Sequence, residues 1–142
     1  MGLFDKFKSN VEINDEKEAF FETVFACMAV DGEISQEEQV ELMGILSKKQ
    51  IFRNTNIRSL VEKTVKLFQQ VGGSMPLIEM AAPKISDNLK QTLFATCADL
   101  VLADGVVNQA EKNLMESLQK LLSVDTANAE KIIEVIIIKN KG

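Results

Sequence analysis

Two short acidic loops hold the residues best suited to chemistry. Asp31-Gly32-Glu33-Ile34-Ser35-Gln36-Glu37-Glu38 and Asp104-Gly105-Val106-Val107-Asn108-Gln109-Ala110-Glu111 both fit the pattern Asp-Gly-x-[Ile/Val]-x-x-x-Glu. The same string forms the second half of an EF-hand calcium loop, in which Gly permits a sharp turn and the final Glu binds bidentately. The first half is missing. Oxygen ligands are needed four and two residues before each Asp, but Cys27 and Ala29 stand there in one copy and Leu100 and Leu102 in the other. These are not EF-hands.

What remains is a set of carboxylates, Asp31, Glu37, Glu38, Asp104 and Glu111, with Glu33 and Glu41 close by in sequence. Such oxygens suit a hard divalent cation, Ca²⁺, Mg²⁺ or Mn²⁺. One half-loop supplies too few of the roughly six to eight oxygens that Ca²⁺ takes, so binding is expected to be weak and hydrated, or shared between the loops. A purely structural reading competes. Ser35-x-x-Glu38 is a capping box and Asn108-x-x-Glu111 a variant of it. Ile34 and Val107 would then be hydrophobic staples, and Gly32 and Gly105 left-handed helix stops. Against that reading, Asp at the negative end of a helix is disfavoured by roughly 0.3–1 kcal/mol, and it occurs twice. Each Asp could still be accepting hydrogen bonds from the start of the next helix.

Residue types that are missing narrow the chemistry further. The chain has no His, which removes Ser-His-Asp and Cys-His pairs and any His-bearing zinc or haem site. Its two Cys stand 70 positions apart within apolar stripes and read as buried small hydrophobes. The eight Phe come with neither Trp nor Tyr, which argues against a sugar-binding cleft, and no Gly-rich phosphate loop is present. Catalysis has little support. The net charge of −5 disfavours nucleic acid as a partner and favours cations or a basic protein surface. No apolar run approaches the about 20 residues that span a bilayer, and no leader peptide is visible, so a cytoplasmic protein with reduced thiols is expected. Leu3, Phe4 and Phe7 make residues 2–8 a short amphipathic segment, able at most to touch a membrane surface weakly.

The loops must be positioned by helices. Apolar residues recur at three- and four-residue spacing, as in Phe21, Val24, Phe25 and Met28, or Leu114, Leu118, Leu121 and Leu122, with no sustained alternation. The pattern predicts six main helices, a short central one over Leu77–Ala82 and a short N-terminal one. Ser35, Asn54, Ser86, Asn108 and Asp125 are the expected N-caps. The β-branched tail from Ile132 to Ile138 is assigned to helix, because it has no partner strand.

Sliding the sequence by 73 positions superposes Phe21 on Phe94, Asp31 on Asp104, Gly32 on Gly105, Gln36 on Gln109 and Glu38 on Glu111. Each copy alone would be marginal in size. The expected architecture is all-α: one compact domain over 1–142, about seven helices in two pseudo-symmetric halves (about 15–72 and 86–141), with 1–14 loosely attached.

The duplicated loop between helices, in a chain of this size, resembles the TerB-like tellurite-resistance family. Its carriers are Ala29-Val30-Asp31-Gly32-Glu33-Ile34-Ser35-Gln36-Glu37-Glu38 and Leu102-Ala103-Asp104-Gly105-Val106-Val107-Asn108-Gln109-Ala110-Glu111, and the opening Gly2-Leu3-Phe4-Asp5-Lys6-Phe7-Lys8 is similar too. The resemblance implies a bacterial, non-enzymatic stress-response module with an acidic metal-binding surface at Asp31, Glu37, Glu38, Asp104 and Glu111. The second copy departs from the pattern, with Val106 and Ala110 where the first has Glu33 and Glu37. The alternative is a helical scaffold whose acidic face docks an unidentified basic protein.

Overall fold

The computed structural model describes residues 15–32, 34–103 and 105–141. They form α1 (Glu16–Met28), α2 (Gln36–Ser47), α3 (Ile57–Val71), α4 (Ser74–Ala81), α5 (Asp87–Leu102), α6 (Gln109–Leu121) and α7 (Thr126–Lys139). Single 3₁₀ turns at Gln50–Phe52 and Ala82–Lys84 join α2 to α3 and α4 to α5. No strand occurs among the described residues, so the fold is all-α and the β-branched tail is helical, as its isolation from any partner strand requires. The expected N-terminal helix and the amphipathic segment 2–8 lie outside the described residues, as do Glu33 and Asp104. Among the described residues no helix is long and apolar enough to cross a membrane.

Side-chain caps set most of the helix starts. Asp15 Oδ1 accepts from Glu18 N at 2.8 Å, Asn56 Oδ1 from Ser59 N at 3.2 Å, and Asp125 Oδ1 from Asn128 N at 2.8 Å. Each bond satisfies one of the orphan amides of a first helical turn. Two expected caps differ. The cap of α3 is Asn56, because Asn54 takes the left-handed conformation (φ 63) in the preceding turn. Ser86 occupies the N-cap position of α5 but makes no capping bond; its hydroxyl donates to Glu16 Oε1 at 2.8 Å instead. The central helix also begins earlier than Leu77, at Ser74. Pro76 then falls in the first turn, where no amide hydrogen is needed for the ladder.

α1 is the central element and packs against α2, α3, α4, α5 and α6. Every residue from Ala19 to Cys27 is buried, so the helix is enclosed on all sides and not merely along a stripe. Phe20 and Phe21 meet the edge or face of Phe52 at 5.9 and 6.3 Å, and Phe25 meets Phe68 at 5.6 Å. α7 lies against α5 and leaves Val135 and Ile138 exposed. The ion pair of Lys63 with Glu18 ties α3 to α1 at 2.8 Å. Near the start of α1, Glu16 reaches Ser86 before α5, while the last turns of both helices meet at a shared cavity. The two helices therefore run side by side in the same direction.

Candidate functional site

Both capping boxes form. Glu38 N donates to Ser35 Oγ at 3.1 Å while Ser35 N donates to Glu38 Oε1 at 3.1 Å. In the second copy Glu111 N donates to Asn108 Oδ1 at 2.8 Å and Asn108 N to Glu111 Oε1 at 3.0 Å. Each glutamate thus spends one carboxylate oxygen on its own helix start. Ile34 and Val107 do not act as staples, since the residues they would clasp are Gln39 and Lys112; both turn to the core instead.

The loop before α2 corrects one expectation. α1 ends at Met28 with Ala29 as its cap, so Asp31 lies three residues beyond the last helical residue, exposed in the following turn. Gly32 carries φ 101 and its amide donates to Ala29 O at 2.8 Å. Asp31 is therefore not held in the terminal turn, where the macrodipole penalty applies, and that argument for a functional charge loses its force. α5 likewise ends at Leu102 with Ala103 as its cap, and Asp104 lies outside the described residues.

The folded chain divides the sequence-derived acids between places. Glu38 and Glu111, from the two copies, line one cavity of about 190 Å³ together with Glu41. Its remaining wall is the last turn of α1, at Cys27 and Met28, and the end of α5, at Leu100, Val101 and Ala103. Asp31 lines a different cavity of about 490 Å³, between the end of α1 and the start of α4. Glu37 is exposed and lines neither cavity. Among the described residues no three His, Cys, Asp or Glu side chains converge to form a metal-ligand group. The cavity nonetheless concentrates negative potential. Three carboxylates face a space with the volume of several waters, and the negative ends of α1 and α5 are matched there by the positive first turns of α2 and α6, which carry Glu38 and Glu111. The carboxylates favour positive over negative charge there.

Two features were not legible as site residues. Cys27 sits in the cavity wall although its sequence position reads as core. Glu22, also on α1, is 1% exposed, and burial, with Glu18 and Asp15 adding to it against Lys63, pushes its pKa up from 4.5 to about 8. No local signal marks it, because its burial follows from the enclosure of α1 on every side.

A family model described as tellurite resistance protein TerB matches residues 17–133. The match runs from the first turn of α1 into α7, and so includes both Asp-Gly loops and both capping boxes. No curated protein and no solved structure matches significantly.

Proposed function

The chain belongs to the TerB family, and from that membership we propose that it serves tellurite resistance as a non-enzymatic stress-response module that gathers weakly held divalent cations. The observation that carries the cation reading is the single cavity shared by Glu38 and Glu111, one glutamate from each copy of the loop. The donor set fits a cation that keeps most of its water. Capping takes one oxygen of each glutamate, so direct ligands fall short of the about six to eight that a dehydrated Ca²⁺ needs. When bound, the ion would supply positive charge between the two halves of the repeat. The residues' own parts are distinct: Glu38 and Glu111 would face the ion from opposite copies, and Glu41 would add a third negative charge.

Calorimetric titration of the full chain with Ca²⁺, Mg²⁺ and Mn²⁺ tests this. Dissociation constants of about 10⁻⁴–10⁻³ M are expected for at least one ion, as for other weak sites. The double variant Glu38→Gln/Glu111→Gln should lose binding while keeping both capping boxes, since Gln serves them as well as Glu. Absence of heat with all three ions, or unaltered affinity in the double variant, would discard the proposal. Asp31 and Glu37, exposed and outside the shared cavity, favour a second reading in which an acidic face docks a basic protein. Its signature is a partner from cell extract that is retained in chelator and eluted by salt.

A further inference from the structure

α7 is apolar on more sides than it buries. From Ile132 to Ile138 its residues are apolar except for Glu134, a composition suited to a helix enclosed by neighbours. Yet its principal packing is against α5. Ala129 and Ile136 are buried, with Ile132 and Ile133 half-buried beside them. Of six large hydrophobic side chains exposed among the described residues, three, Val135, Ile137 and Ile138, stand on this one helix. A single exposed aliphatic residue needs no explanation, but a cluster of them marks a contact surface.

The line opposite the buried face is Ala127, Lys131, Glu134 and Ile138, all of them exposed. Their spacing of four, three and four residues is that of a helix–helix seam. Read in reverse, this seam is complementary to itself. In an antiparallel pair about a two-fold axis between Ile132 and Ile133, Ala127 meets Ile138 of the second copy and Lys131 meets Glu134 of the second copy, each contact occurring twice. Neither Lys131 nor Glu134 takes part in an ion pair within the chain among the described residues. Sliding one helix by three residues sets Lys131 against Lys131, or Glu134 against Glu134, and a parallel pair does both. Charge therefore selects one direction and one register.

We propose that α7 is the contact face of a homodimer, in which two copies pair antiparallel along Ala127, Lys131, Glu134 and Ile138. Glu130 and Val135 lie to either side of the seam. The Glu130 carboxylate turns outward to water, while Val135 covers the aliphatic stem of Lys131 from the second copy. The helix has 14 residues and is about 21 Å long. Two such helices bury less than the about 1,200 Å² of the smallest stable interfaces, so the dimer is weak, with a dissociation constant of about 10⁻⁴–10⁻³ M. None of the cavity carboxylates lies on α7, so the proposal does not depend on cation binding.

The test is sedimentation equilibrium of the full chain from ~10 μM to ~1 mM at low salt, a range that reaches the expected constant. The mean mass should climb from that of one chain toward that of two. Lys131→Glu and Glu134→Lys each set like charges together at both contacts and should weaken self-association at least about tenfold. Mixed in equal amounts, the two variants should pair with each other about as tightly as the wild type, since each supplies the charges that the other lacks. The double variant Lys131→Glu/Glu134→Lys should restore the homodimer. Both positions are exposed, so the variants keep the fold, and circular dichroism should show unchanged helicity. A wild type that stays monomeric throughout, a dimer that neither single variant weakens, or a mixture no tighter than its components would each overturn the proposal.

Discussion

Replacing Glu22 by Gln should remove most of the pH dependence of stability above pH 5. Glu22 Oε2 and Thr64 Oγ1 are buried side-chain oxygens without a hydrogen-bond partner among the described residues. The nearest relief for a negative charge, Lys63, is already engaged by Glu18 at 2.8 Å. Glu18 and Asp15 add repulsion, so burial and like charge together raise the Glu22 pKa from 4.5 to about 8. The sign follows from proton counting. Between these two values the folded chain holds a proton that the unfolded chain has released, so stability falls as pH rises. It is unaffected below 4.5 and levels off above about 8. At about 1.4 kcal/mol per pH unit the interval amounts to ~5 kcal/mol at most. That is a large part of the roughly 5–15 kcal/mol that holds a domain together. Urea unfolding of both proteins at pH 5, 7 and 9 measures it, and the difference between wild type and variant cancels every other titrating group. The two should be nearly equal at pH 5, with the variant more stable by several kcal/mol at pH 9. A difference that stays constant across the series would refute the assignment of a buried, protonated Glu22.

Three further substitutions concern the frame of the site. Gly32→Ala should destabilise by roughly 1–2 kcal/mol, since φ 101 strains any side chain although no atom lies within 4 Å of the added carbon. Gly44→Ala, exposed within α2 and equally free of contacts, should stabilise by about 0.5–1 kcal/mol, so thermal melts of the pair should move in opposite directions. Ser35→Ala should cost about 1 kcal/mol in denaturant unfolding through loss of its bond to Glu38 N, and should leave cation affinity unchanged.

Much of the fold was legible from local signals. Three- and four-residue spacing located the six longer helices, and Ser35, Asn108 and Asp125 marked starts that their side chains do cap. The departures also have local causes. Asn54 lost its assigned role to Asn56, which the left-handed turn at Asn54 delivers to the helix start. Ile45 follows the apolar spacing of α2 yet is 36% exposed, because α2 turns Leu42 and Leu46, with Met43 beside them, toward the core. Periodicity states which face of a helix is apolar, but not how many neighbours will surround it. The complete enclosure of α1, and with it the burial of Glu22, was therefore beyond reach.

The same limit governs the site. Nothing in either loop announces that Glu38 and Glu111 share a cavity, because that depends on α1 and α5 running in parallel with their last turns together. The parallel arrangement also sets Cys27 into the wall of that cavity, beside the end of α5. The same arrangement leaves room for both the structural and the functional reading of the glutamates. A capping box engages one carboxylate oxygen and sets the direction of the helix start, and that direction is what turns Glu38 and Glu111 toward the common space. Capping and charge are thus successive consequences of one residue. Glu→Ala removes both at once, whereas Glu→Gln keeps the cap and deletes the charge. Only the second substitution can separate a fold held by its caps from a cavity that works by its potential.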